Sequence, residues 1–94
     1  MDPTDKIVRG NQAQSILENE TFKAALSEIR EKIYRDWCAT GHADYDAREH
    51  LWGMSRIVDE VEGMLTNYIA SGQLEAETVK QRTLFEKMKD IMNG

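Results

Sequence analysis

The densest group of side chains that could bind a metal ion lies near the middle of the chain: His42, Asp44, Asp46, Glu49 and His50. On a helix that begins near Tyr45, Asp46 and His50 are four residues apart and share a face, which suits two metal ligands. The group lacks an H-E-x-x-H motif, a cysteine pair and the later glycine and glutamate of a calcium loop. Helix capping explains the same carboxylates, so we expect no metal site and no cofactor.

The chain has one cysteine, Cys38, which excludes an intramolecular disulfide and favours a reducing compartment. A catalytic thiol would need a nearby base. His42 follows Gly41, where a helix should already have ended, so it is not held on the same face as Cys38. We therefore interpret Cys38 as a half-buried, small apolar side chain beside Trp37.

Three acidic residues, Asp59, Glu60 and Glu62, are close enough in sequence to suggest acid–base catalysis. Neighbouring positions on a helix diverge around its circumference, however, so these carboxylates do not converge on one substrate atom. The sequence also contains no glycine-rich phosphate loop and no G-x-S-x-G nucleophile turn. We expect no catalytic residue and no enzyme activity, and we consider the three carboxylates candidate partner-binding residues.

The net charge of −5 is distributed unevenly. Residues 1–40 carry six basic and seven acidic side chains, residues 41–75 carry two and seven, and residues 76–94 carry four and three. The negative middle segment would repel phosphate backbones, so we expect no direct binding to nucleic acid. Its acidic surface either meets a basic protein or is simply solvated.

Two apolar patterns with helical spacing predict the elements that hold these residues. The first predicts a helix over residues 20–39, with Asn19 as its N-cap: Phe22, Leu26, Ile29, Ile33 and Trp37. The second predicts a helix over residues 45–71: Leu51, Met54, Val58, Val61, Leu65 and Tyr68. The short connection predicts an antiparallel hairpin in which these two seams bury one another and Trp37 and Trp52 close the same end.

The remaining segments complete an all-α, single domain over residues 1–94. Residues 1–10 are expected to be a flexible lead, and a short helix is predicted over residues 11–18. Thr40–Gly41 and Ser71–Gly72 are read as helix stops, the glycines closing them in the left-handed conformation. A fourth, amphipathic helix is predicted from Leu74 to Gly94, where Phe85, Met88 and Met92 are candidate partner-binding residues. Docking on a partner and packing on the hairpin are equally open for this helix.

The chain is 31% charged and 40% hydrophobic, and its uninterrupted apolar runs are only two or three residues long. Such runs are too short for a transmembrane span or the hydrophobic region of a signal peptide. We therefore expect no membrane association and a cytoplasmic location.

Several short motifs resemble those of small helical proteins encoded by tailed bacteriophages and prophages. The motifs are A-x-x-I-L-E-N-E-x-F from Ala13, W-x-x-T from Trp37, D-x-x-x-R-E-x-L-W from Asp44, and S-G-Q-L from Ser71, together with Leu65, Tyr68 and Ile69. The resemblance covers roughly residues 10–75. It implies an accessory protein encoded in the head and DNA-packaging region, with no catalytic residue to transfer.

Two function hypotheses follow. The first is a phage virion-assembly or packaging accessory protein that binds a portal, capsid or packaging component, with a homo-oligomer as an open possibility. The alternative is a small acidic inhibitor that occupies the nucleic-acid site of a basic host protein as a decoy. Both place the protein in the host-cell cytoplasm, and the first leaves open its incorporation into the virion.

Overall fold

The computed structural model describes residues 2–93 and is all-α over that range, as the sequence predicts. Three helices follow one another: α1 (Pro3–Glu18), α2 (Glu20–Cys38) and α3 (Tyr45–Asn93). The molecule is elongated, measuring 76 × 25 × 17 Å, because α3 alone has 49 residues and spans nearly its whole length. None of the described helices is both long enough and apolar enough to cross a bilayer.

The first helix begins at Pro3 rather than near Asn11, so residues 3–10, predicted to be a flexible lead, lie within α1. The side chain of Asp2 accepts a hydrogen bond of 2.8 Å from the backbone N–H of Thr4. Proline at the first helical position loses no hydrogen bond, because that N–H has no intrahelical acceptor. This aspartate–proline start signal was present in the sequence.

The second helix agrees closely with the prediction, ending at Cys38 instead of residue 39. Asn19 is extended between α1 and α2, and its side chain accepts a 2.9 Å hydrogen bond from the backbone N–H of Phe22, which confirms the predicted N-cap. The predicted left-handed conformation of Gly41 is wrong, since no glycine among the described residues has a positive φ. Instead, the Thr40 hydroxyl donates a 2.7 Å hydrogen bond to the Trp37 carbonyl at the helix exit.

The predicted third and fourth helices are one continuous helix, α3, so the predicted stop at Ser71–Gly72 is wrong. Gly72 lies in the middle of α3 with an ordinary helical conformation. Beyond it the chain contains no proline and is rich in glutamate, lysine, glutamine, leucine and methionine, which all favour helix. Gly94, the predicted end of the fourth helix, lies outside the described residues.

A glycine contact brings the backbones of α1 and α3 close together. A Cβ atom built on Gly10 would lie 2.8 Å from the carbonyl oxygen of Tyr68 and 3.1 Å from the Cα of Gly72. A Cβ atom on Gly72 would lie 2.9 Å from the carbonyl oxygen of Lys6. The two backbones therefore touch here because neither residue has a side chain. A salt bridge of 3.4 Å between Lys6 and Glu75 extends this contact toward the start of α1.

The buried apolar core of the described chain is small, consisting of Ala13, Ile33 and Leu51. The predicted burial of one seam by the other is incomplete. In α3, Val58 and Leu65 are half-buried on the side of Leu51, whereas Met54 and Val61 are exposed. Ile29 in α2 is also exposed.

Candidate protein-interaction surface

The last 18 described residues of α3, 76–93, form a helical arm on which every residue is exposed. The three predicted partner-binding residues of this segment lie on it: Phe85 is 69% exposed, Met88 61% and Met92 82%. Leu84 and Ile91 are exposed as well. The arm extends about 27 Å at the rise of an α-helix. The arm therefore does not pack on the rest of the described chain, which was one of the two options that the sequence left open.

Apolar side chains of the arm share one face, which we call the arm stripe: Leu84, Phe85, Met88, Ile91 and Met92. Two pairs of cations, each spaced by seven residues, border this stripe on its two sides: Lys80 with Lys87, and Arg82 with Lys89. The acidic residues Glu86 and Asp90 lie on the opposite face. The seven-residue spacing of these cations is visible in the sequence and could have shown that they border the stripe.

The three predicted acidic partner-binding residues have different surroundings. One guanidinium nitrogen of Arg30 in α2 donates hydrogen bonds of 3.3 Å to Asp59 and 3.4 Å to Glu62. Glu60 is exposed, and the described residues provide no salt-bridge partner for it. The acidic surface predicted from sequence is therefore partly neutralised within the chain, and Glu60 is its accessible member.

The pKa of Arg30 rises above its ordinary value. Desolvation, the largest single effect, lowers this pKa, but the hydrogen bonds and negative charges of Glu62 and Asp59 together outweigh it. Arg30 therefore stays protonated at any ordinary pH, so that it holds α2 against α3. Because Arg30 and the two carboxylates are largely exposed to solvent, their salt bridges contribute little to the free energy of unfolding, and this contribution weakens with added salt.

An open groove with aromatic walls runs between α2 and the first turns of α3, and we call it the aromatic groove. Its principal walls are Tyr34, Trp37 and Trp52, with Leu51 at its base. Trp37 is 36% exposed and Trp52 60%, so the predicted burial of both indoles is wrong for Trp52 and incomplete for Trp37. The neighbouring Cys38 raises the pKa of Tyr34, first by hydrogen bonding and then by the negative charge of its thiolate form. Cys38 itself is exposed, not half-buried as predicted.

Arg48 holds one wall of the aromatic groove in place. Its guanidinium carbon lies 4.7 Å from the ring centroid of Trp37, and its Nε donates a 2.9 Å hydrogen bond to the hydroxyl of Thr40. This cation–π contact and hydrogen bond connect the end of α2 to the start of α3. Arg56, by contrast, lies 5.8 Å from the exposed Trp52 within α3.

We expect Arg48→Ala to lower the free energy of unfolding by about 1 kcal/mol, because it removes both the hydrogen bond and the cation–π contact. In a Trp52→Phe background, the remaining Trp37 emission should shift to longer wavelength and become easier to quench with acrylamide. Arg56→Ala, a matched loss of an arginine near an indole, should leave Trp37 emission unchanged. Equal effects of the two changes on Trp37 would contradict a local role for Arg48.

Four apolar residues of α3 form a second exposed face, the outer stripe: Met54, Ile57, Val61 and Met64. Their spacing of three, four and three residues is that of a helix–helix seam. Glu49 and Glu60 are eleven residues apart, close to three helical turns, so both border the same side of this stripe. Only Met54 and Val61 belonged to the seam predicted from sequence, and that seam was expected to be covered within the chain.

The chain exposes much more surface than its mass requires. Its accessible area is 7567 Å², whereas a compact monomer of 10.8 kDa exposes about 5,500 Å². The excess of about 2,000 Å² exceeds the area that each partner buries in a standard interface, about 800 Å². The arm and the outer stripe account for much of the exposed apolar part.

The chemistry considered at His42, Asp44, Asp46, Glu49 and His50 has no geometric support in the structure. Among residues 2–93, no three histidine, cysteine, aspartate or glutamate side chains form a group that could hold a metal ion. All five residues are exposed, and Asp44 instead accepts the first backbone hydrogen bond of α3, from Arg48. Comparison of the chain with protein-family models, with curated proteins and with solved structures gives no match.

Proposed function

We propose that this chain is a non-enzymatic assembly protein that acts by protein–protein interaction and needs its C-terminal arm to do so. The observation that carries the proposal is the arm stripe, five large apolar side chains on an exposed helix bordered by four cations. An amphipathic helix of this kind binds by laying its apolar face into a groove or against another helix. A contiguous exposed surface of five large apolar side chains is typical of interaction sites.

We further propose that the partner is a phage structural or packaging component, such as a portal or capsid protein. The motif resemblance to small proteins of the head and packaging region supports this choice. In this proposal the predicted hairpin, formed by α2 and the first half of α3, is the frame from which the arm extends. The protein would act in the host-cell cytoplasm during particle assembly, and its incorporation into the virion is part of the same proposal.

The alternative function, an acidic decoy for a basic host protein, has weaker support. It relied on the charges of Asp59, Glu60 and Glu62, of which two bind Arg30. The most exposed apolar surface lies on the arm, whose own four cations would repel a basic partner. An arm-dependent interaction therefore agrees better with the positions of these charges.

The test is a double change of Phe85→Gln and Met88→Gln in the full chain. Glutamine keeps helix propensity, so helicity by circular dichroism should not change, while the arm stripe loses its centre. Capture of phage head and packaging proteins from infected or induced cells, measured by mass spectrometry, should fall by about tenfold or more. The matched control, Glu86→Gln with Asp90→Gln, alters the opposite face and should preserve capture.

Two results would contradict the proposal. Undiminished capture by the Phe85→Gln/Met88→Gln variant would show that the arm is not needed. A collapse of helicity in that variant would show that these side chains support the fold instead of a partner.

A further inference from the structure

We infer that the arm of one copy docks on the outer stripe of a second copy, so that the chains associate head to tail. This inference rests on the proposed function, because it names a partner for the same arm. The phage component would then meet the assembled chains rather than a monomer. Three features of the structure support a second copy as the occupant: the exposed area, the charges beside the two stripes, and the continuity of α3.

The exposed area indicates that the chain needs a large interface to be stable. Ala13, Ile33 and Leu51 are the only apolar side chains that the described part of the chain buries. Such a core is small for a chain of 94 residues. Compact domains of this size are already only marginally stable, so a chain with a smaller core needs further apolar burial. An interface that covers both the arm stripe and the outer stripe would bury the missing apolar area without a larger monomeric core.

The charges beside the two stripes are complementary. Four cations border the arm stripe and Glu77 lies in line with it, so the charge there is mainly positive. Glu49 and Glu60 border the outer stripe with Arg56 beside them, within a segment that carries seven acidic and two basic residues. The attraction between these opposite charges favours contact of the arm of one copy with the outer stripe of another. Pairing of two arms would instead bring their cations together, and pairing of two outer stripes would bring their glutamates together, and both arrangements are repulsive.

The continuity of α3 requires that this contact form between molecules. The arm and the outer stripe belong to one uninterrupted helix, so an arm cannot fold back on its own stripe. Val61 and Met88 are 27 residues apart, about seven and a half turns, so the two stripes lie on roughly opposite sides of α3. A second copy that covers one stripe therefore leaves the other free, and such heterologous contacts produce rings or open chains.

A charge exchange between two variants of the full chain tests the inference. The arm variant carries Lys80→Glu, Arg82→Glu, Lys87→Glu and Lys89→Glu, and the stripe variant carries Glu49→Lys and Glu60→Lys. We expect the unmodified chain to associate with rising concentration in analytical ultracentrifugation. Each variant alone should associate at least about tenfold more weakly, because its arm and outer stripe now have the same charge.

An equimolar mixture of the two variants should recover association, because each arm then meets an outer stripe of opposite charge on the other variant. A general loss of folding cannot produce such recovery, and circular dichroism of each variant provides a separate check of folding. The inference is overturned if the unmodified chain stays monomeric at all concentrations, or if the mixture associates no better than its components.

These measurements use the purified chain without phage proteins, so they separate the two proposals. A monomeric chain that still captures phage proteins through its arm would overturn the inference and leave the proposed function intact. A chain that associates as expected but captures no phage protein would contradict the proposed function and leave the association of the chains intact.

Discussion

Gly72→Ala should lower the free energy of unfolding by about 1 to 3 kcal/mol, although alanine is normally the better residue in a helix. The new Cβ would lie 2.9 Å from the carbonyl oxygen of Lys6 and 3.1 Å from the Cα of Gly10. Both are backbone atoms, which cannot rotate away, so α1 must move off α3. Urea denaturation followed by circular dichroism would measure the change.

Gly63→Ala provides the matched control, since Gly63 is in the same helix and a Cβ there would meet nothing within 4 Å. This change should raise the free energy of unfolding by about 0.5 to 1 kcal/mol through helix propensity alone. Gly10→Ala should behave like Gly72→Ala, because it faces the same contact. If all three alanine variants gain stability, α1 and α3 do not cross at these glycines in solution.

This glycine contact also shows why the helices were easier to predict than their ends. Periodicity and the Asn19 cap located α2 within one residue and the start of α3 at Tyr45. The predicted flexible lead over residues 1–10 and the predicted stop at Ser71–Gly72 both missed a helical glycine, because a glycine in an isolated helix is unfavourable. The role of Gly10 and Gly72 depends on another segment 62 residues away, and local propensity carries no information about such a contact.

The candidate site could be predicted in part. Helical spacing identified Phe85, Met88 and Met92 as one apolar group, and the structure places them on the exposed arm. The same spacing could not show that Val61 is exposed while Leu65 is half-buried, because both belong to a seam of similar hydrophobicity. That division depends on which side of α3 the other helices cover, so it is a tertiary property.

Leu51→Ala should have the largest effect of any apolar truncation in α3. Leu51 is 8% exposed and is one of the few apolar side chains that the described chain buries, so removing its isobutyl group removes packing against α2 at the base of the aromatic groove. Truncation of a buried leucine costs about 2 to 5 kcal/mol. A small domain has about 5 to 15 kcal/mol of stability in total, so the variant should unfold at much lower urea concentration or be partly unfolded in its absence.

Leu74→Ala makes the same chemical change in the same helix at a side chain that is 67% exposed. It should change the free energy of unfolding by less than about 0.5 kcal/mol, because little apolar surface leaves a buried environment. Both variants must be compared at one protein concentration, since association would add to the apparent stability. Similar losses for the two variants would mean that Leu74 is covered in solution, whereas a negligible loss at Leu51 would mean that α2 does not pack there.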